Sequence, residues 1–177
     1  QAKELLAEAG YPDGFDMELA IMADSATSLT ISTILQQFWE SIGVNAEIRV
    51  YDESSYYDIR RDGELPSYYN SWSADFNDPD NFIYTFFGTE ENTFSRSLCY
   101  TDSEVIRRVR DARAIVDHTR RIREYQELER KIVQEDAAWI PLFSKQHIFV
   151  VSDRVDGFRV SWNGWSSNRY SGVAVKK

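Results

Sequence analysis

Ala2, Leu5, Leu6 and Ala9 recur at helical spacing, and Gly10 with the Tyr-Pro-Asp-Gly run after it predicts a left-handed stop followed by a turn. Residues 15–22 alternate at first and then become continuously apolar, as expected for a strand whose second half is buried on both faces. A Ser/Thr-rich loop able to cap a helix precedes Ile31, Ile34, Leu35, Phe38 and Ile42, whose spacing predicts an amphipathic helix stopped by Gly43. Val44, Ala46, Ile48 and Val50 then alternate with Asn45, Glu47 and Arg49, which predicts a strand with one wet face. Two strands joined through a helix by short loops predict a β-α-β unit with parallel pairing and a right-handed crossover.

Residues 56–61 predict another short helix. Residues 67–74 have no helical period but are rich in aromatic and β-favouring side chains, so they read as a strand, and Asp78-Pro79-Asp80 reads as a helix start with Pro in its first turn. This succession is that of the α/β class, an open and mainly parallel sheet flanked by helices. Residues 88–100 read as a loop. Thr101-Asp102-Ser103-Glu104 has the form of a capping box, with the Thr101 hydroxyl accepting from the Glu104 amide. The helix it opens carries an apolar stripe of Val105, Val109, Ala112 and Val116, with Arg107, Arg108 and Arg110 toward water. A second helix from about Asp117 presents Ile122, Tyr125, Leu128, Ile132 and Val133; its arginines read as a solvated face. Residues 138–143 and 147–151 read as strands joined by Ser144-Lys145-Gln146, and residues 157–165 as a further extended, aromatic segment. With no repeat, low-complexity tract or dividing linker, residues 1–177 read as one domain.

Charge and cysteine content narrow the function. A formal net charge of -9 opposes a nucleic-acid binder, which needs a basic face for phosphates, and a polybasic membrane anchor. Cys99 is the only cysteine, which excludes an internal disulfide and a thiolate metal cluster and leaves the expectation of a small buried thiol. No stretch approaches the roughly 20 apolar residues of a membrane span. His118 and His147 lack a ligand-like neighbour pattern. Asp75, Asn77, Asp78 and Asp80 suggest calcium, but an EF-hand loop needs an oxygen ligand where Pro79 stands and glycine where Asp80 stands. Asp78 and Asp80 read instead as carboxylates favoured at a helix amino terminus. No phosphate loop, nucleophile elbow or cofactor motif is present, and none is expected.

The remaining chemistry lies in residues 67–82. Asp75 follows the predicted strand, and in an open α/β sheet ligands bind at the carboxyl ends of strands. A carboxylate walled by aromatic surface pairs well with an ammonium group, because partial desolvation strengthens the attraction. Trp72 would offer a flat apolar wall, and the backbone of Ser73 and Ala74 could bond a peptide laid alongside as an added strand. Strand alternation would set Tyr69, Ser71 and Ser73 on the face of Asp75.

Trp72, Ala74, Asp75, Asp78-Pro79 and Asn81-Phe82 make a Trp-x-Ala-Asp-x-x-Asp-Pro-x-Asn-Phe pattern that resembles the solute-binding proteins of peptide-importing ABC transporters. The Leu-Leu-x-x-Ala-Gly-Tyr-Pro-Asp-Gly-Phe run in residues 2–15, the Arg-x-x-x-Tyr to Ala-Trp-Ile-Pro-Leu-Phe run in residues 121–143 and Val-Asp-Gly-Phe-Arg-Val in residues 155–160 resemble the same family, in its order. The resemblance implies a periplasmic-binding-protein-like carboxyl-terminal lobe, the amino-terminal lobe of the same protein as its partner, and an extracytoplasmic place despite the absence of a signal segment. It implies a non-enzymatic receptor that closes on a peptide and delivers it to a membrane permease. By the same resemblance Asp75 receives the peptide's α-amino group, with Trp72, Ser73, Ala74 and Tyr69 around the ligand. Some family members carry arginine where Tyr69 stands, so carboxylate recognition is not assigned to that position. A related receptor for nickel chelates or oligosaccharides, and a carboxylate-dependent hydrolase, are the alternatives.

Overall fold

The computed structural model describes residues 1–23, 26–163 and 170–176. In chain order they form α1 (Ala2–Glu8), β1 (Phe15–Met22), α2 (Ala26–Glu40), β2 (Val44–Tyr51), α3 (Glu53–Arg61), α4 (Asp80–Phe87), α5 (Glu90–Phe94), α6 (Ser103–Ala112), α7 (His118–Glu129), β3 (Val155–Asp156) and β4 (Ala174–Val175). A π-helical turn, Arg130–Glu135, continues α7. The chain clusters into two compact units, one of residues 1–72 with 86–107 and one of residues 73–85 with 108–177. Among the described residues no helix is long and apolar enough to cross a membrane.

The first unit is built on the β1-α2-β2 crossover. The strands are parallel and in register from Phe15 opposite Val44 to Met22 opposite Tyr51. Leu19, Ala20 and Ile21 of β1 are all buried as predicted, whereas the predicted alternation of β2 holds only in its first half: Val44 and Ala46 are buried and Asn45 and Glu47 exposed, but Ile48 is half-buried and Val50 is 57% exposed. Both strands start after a left-handed glycine, and a Cβ on Gly14 would lie 1.8 Å from the Gly43 carbonyl oxygen. That close approach leaves no room for a side chain at Gly14, and at Gly43 the left-handed backbone, φ +96°, favours glycine. α1 ends as predicted: the Gly10 and Tyr11 amides donate to the Ala7 and Leu6 carbonyls in a Schellman motif. Ala20, Tyr56 and Leu65 form a buried cluster, with Met22, Tyr51, Ile59 and Tyr68 packed around it.

Several sequence expectations are corrected. The predicted strand over residues 67–74 is a single parallel bridge, Ala20 to Tyr68, in which the Ala20 amide donates to the Ser67 carbonyl and the Tyr69 amide to the Ala20 carbonyl. Beyond it the Asn70 side chain accepts from the Ser71 amide at 2.7 Å, a local bond that competes with a ladder, and residues 69–74 form no strand. The expected face-sharing of Tyr69, Ser71 and Ser73 with Asp75 therefore has no sheet register behind it. α2 buries Ser32 and leaves Ile34 and Phe38 exposed, so its packed face is rotated from the predicted stripe. The predicted loop over residues 88–100 contains α5, capped by Thr89, which accepts from the Asn92 amide. Cys99 is exposed rather than buried. The α6 cap is Asp102, one residue later than predicted; its carboxylate accepts from both the Glu104 and Val105 amides, as the hydroxyl of Thr101 would for only one.

The second unit packs Ile83 of α4, Val109 and Ala112 of α6, and Tyr125, Leu128 and Ile132 of α7 and its π-helical continuation in buried positions. Asp117 caps α7 through the Arg120 amide at 2.7 Å. Val116, assigned to the α6 stripe, lies past the end of that helix and is exposed. Residues 138–143 and 147–151 are not strands: among the described residues no neighbouring strand pairs with them, and an alternating pattern without a partner has no ladder to hold it. β3 and β4 pair antiparallel, Val155 with Val175. Part of the predicted extended segment, Gly164 and Trp165, and the loop residues Asp24 and Ser25 lie outside the described residues.

Candidate functional site

Asp75 lies in the second unit, on the turn that leads into α4. Asn81, in the first turn of α4 and only 3% exposed, fixes that turn twice. Its side-chain carbonyl accepts from the Asp75 amide at 3.0 Å, and its side-chain amide donates to the Asp75 Oδ2 at 3.2 Å. Asp75 is itself exposed, and among the described residues no cation pairs with it. A buried side-chain amide thus orients an exposed carboxylate.

The neighbouring acids do different work. Arg121 of α7 grips Asp78 with both terminal nitrogens, at 2.7 and 2.8 Å, in the forked geometry that makes guanidinium–carboxylate pairs strong. This bond holds the Asp78 carboxyl below its usual range and raises the Arg121 guanidinium. Asp78 also accepts from the Asp80 amide at 2.8 Å, which caps the start of α4. Asp80 is buried; its Oδ1 accepts from the Tyr125 hydroxyl at 2.9 Å and lies 3.1 Å from the Arg113 Nε. Burial, followed by the bond to Asp80, pushes the Tyr125 hydroxyl well above its ordinary value. Arg113 stacks 3.9 Å over the Tyr84 ring centre and Arg121 lies 4.8 Å over that of Tyr125.

Asp78 and Asp80 are therefore not merely dipole-stabilising acids, and the arginines of this segment are not all a solvated face. They lock the start of α4, and with it Asn81 and the Asp75 turn, onto α7. Periodicity places Tyr125 in an apolar stripe and the family pattern contains Asn81, Arg121 and Tyr125, but neither gives these residues or Arg113 a role in holding the site. One signal was present: Arg121 and Tyr125 are four residues apart on a helix and so share a face.

Ser73 and Ala74 precede Asp75 in the same unit, Ser73 exposed and Ala74 half-buried. Among the described residues their backbone amides and carbonyls bond to no other group. Trp72 belongs to the first unit, where its ring meets the Phe86 ring edge-on at 5.3 Å and remains 40% exposed. It is neither core nor free surface. Tyr69, half-buried, contributes its amide to the bridge with β1.

The sequence profile of bacterial extracellular solute-binding proteins, family 5 Middle, matches residues 1–94. The chain belongs to this family. It is 30% identical to the heme-binding protein A of Haemophilus influenzae over 99% of its length, and 30% identical to the dipeptide-binding protein of Escherichia coli K12 over 90%. It spans only 32% and 31% of those proteins. The solved structure of HbpA2 from Haemophilus parasuis superposes on 99% of this chain with a TM-score of 0.78 at 28% identity, the chain covering 35% of that protein. The α/β periplasmic-binding-protein lobe implied by the resemblance is thus the fold of this chain. The role that defines its family is solute binding.

Proposed function

We propose that this chain is the carboxyl-terminal, ligand-binding lobe of an extracytoplasmic peptide receptor serving an ABC importer. In this reading Asp75 anchors the peptide's ammonium terminus and the open amides and carbonyls of Ser73 and Ala74 take its backbone. Trp72 walls a side-chain pocket, with Tyr69 beside the ligand. The protein is a receptor, not an enzyme. The observation that carries the reading is the Asp75 carboxylate, exposed, free of a cation among the described residues and held by a buried asparagine. What sets Asp75 apart from an ordinary exposed carboxylate is that a buried asparagine bonds both its amide and its side chain.

Backbone recognition supports breadth of ligands, because it does not read side chains. An amino-terminal lobe would close over the same peptide, and a membrane permease would take delivery from the closed form. Closure is a population shift toward the state in which ligand touches both lobes. A second reading, a heme receptor, is favoured by the 30% identity to the heme-binding protein A of Haemophilus influenzae. Thermal unfolding of the full-length polypeptide with Ala-Phe, hemin, a nickel chelate and maltotriose tests both. Stabilisation by Ala-Phe alone supports the peptide receptor, by hemin alone the second reading, and by maltotriose or the nickel chelate neither.

A further inference from the structure

The first unit holds two arginines, Arg60 and Arg96, with which no carboxylate among the described residues pairs. Arg60, at the end of α3, lies 5.8 Å over the Tyr68 ring centre and 5.9 Å over that of Tyr57, and its Nε is buried without a hydrogen-bond partner among the described residues. Arg96, just past α5, lies 5.2 Å over the Phe86 ring centre. The segments are tied together: the Ser97 hydroxyl donates to the Arg60 carbonyl at 2.8 Å, and the Tyr68 hydroxyl donates to the Arg96 carbonyl. The chain has 29 acidic residues against 20 basic ones, yet no carboxylate among the described residues pairs with either guanidinium. Arginine is almost never fully buried unless paired, and here one guanidinium nitrogen, the Arg60 Nε, is buried without a hydrogen-bond partner among the described residues. Burial and the charge of Arg60 both lower the Arg96 guanidinium from its ordinary range, the direction expected of a cation without a counter-ion.

The place of Arg96 gives this charge a use. Phe86 has the Arg96 guanidinium against its ring at 5.2 Å and the half-exposed Trp72 edge-on at 5.3 Å. One aromatic ring thus connects the proposed ligand wall, within the same unit, to a cation that no carboxylate among the described residues pairs with. Arg96 Nη1 reaches the Asn92 carbonyl at 3.3 Å and the Ser95 hydroxyl at 3.5 Å, which occupies one nitrogen of a group with five donors.

We infer that Arg96, backed by Arg60, is a subsite for a carboxylate of the bound solute, seated beside the Trp72–Phe86 pair. Tyr69 offers no charge for that task, so the subsite supplies from a different part of the fold what that position lacks. The identity of the solute rests on the proposed function; the carboxylate chemistry does not. A peptide's carboxyl terminus and a heme propionate both present it, and the test separates them.

In the full-length polypeptide, binding of Ala-Phe and its carboxamide, and of hemin and its dimethyl ester, is measured by calorimetry for the wild type, R96Q and R60Q. Whichever class binds the wild type should lose about tenfold or more in affinity when its carboxylate is masked, as the loss of one charged hydrogen bond predicts. R96Q should cause a similar loss for the free form and almost none for the masked one. Equal losses for free and masked forms, or no loss in either, overturn the inference. An independent arm follows thermal unfolding in sodium malonate against sodium chloride at matched ionic strength. Malonate should stabilise the wild type more than R96Q, and equal shifts overturn the inference whatever the solute. If neither solute class binds the wild type, the peptide and heme readings fail and the malonate arm alone decides the carboxylate subsite. Should R96Q not unfold cooperatively, R60Q, which leaves the α5 end intact, takes its place under the same criteria.

Discussion

Asp78 and Asp75 stand three residues apart and differ in every respect that matters to their roles. The Arg121 fork on Asp78 is partly shielded from water, with side-chain exposures of 16% and 31% for the arginine and the acid. That intermediate burial sets its worth between a surface pair and a buried one, so R121A is expected to destabilise the protein by about 1–3 kcal/mol in chemical denaturation. Because the Asp78 carboxyl is depressed in the folded state, its contribution is complete above the ordinary carboxylate value of about 3.9 and is lost as pH falls through the lower folded value. The stability difference between wild type and D78N should therefore be constant from pH 5 to 8 and shrink below pH 4. A difference that grew on acidification would contradict the assignment. Asn81 makes a separate prediction. N81A removes the partner of the Asp75 amide and the orientation of its carboxylate, and is expected to cost about 1–3 kcal/mol in denaturation while weakening solute binding.

At the scale of elements, the crossover depends on two glycines. G14A would place a Cβ 1.8 Å from the Gly43 carbonyl oxygen at a φ of +81°, so the turns before β1 and β2 could not approach as they do. A loss of about 2 kcal/mol or more is expected in equilibrium denaturation, from overpacking and backbone strain together. A neutral G14A would mean that this approach is not needed for the fold. The crossover was readable from the chain because both strands carry patterns set by what covers them, continuous in β1 and alternating in β2. The segment after it was not. Residues 67–74 have strand composition, but the Asn70 side chain takes the Ser71 amide and Asn81 takes that of Asp75, and such local bonds leave no mark on hydrophobic periodicity. The cap of α6 was placed one residue early for a related reason: Thr101 and Asp102 are both good acceptors, and only geometry chooses between them.

On the scale of the whole chain, apolar side chains are turned outward along residues 140–151. Ile140, Phe143 and Ile148 are exposed, and Val150 is 97% exposed. Their pattern is that of strands, and the strands are missing because strands need partners. The family resemblance was legible in four short runs, and Asp75 could be singled out from one of them. The locking of Asp78 and Asp80 by Arg121, Tyr125 and Arg113 could not, since it joins residues more than thirty apart in the chain. As the chain covers about a third of the relatives it matches, the proposed closure implies that this chain alone binds peptide weakly. Calorimetry on the 177-residue chain is expected to give no micromolar binding of Ala-Phe, whereas the full-length polypeptide should bind it.

The central claim is that Asp75 holds a peptide's ammonium group, and the most direct measurement compares Ala-Phe with N-acetyl-Ala-Phe on the full-length polypeptide and its D75N variant. Acetylation removes the ligand's charge and D75N the receptor's, so each alone should weaken binding by about 10–100-fold, and the two together by little more than either. If D75N binds Ala-Phe as tightly as the wild type, or weakens the acetylated and free peptides equally, Asp75 is not the anchor.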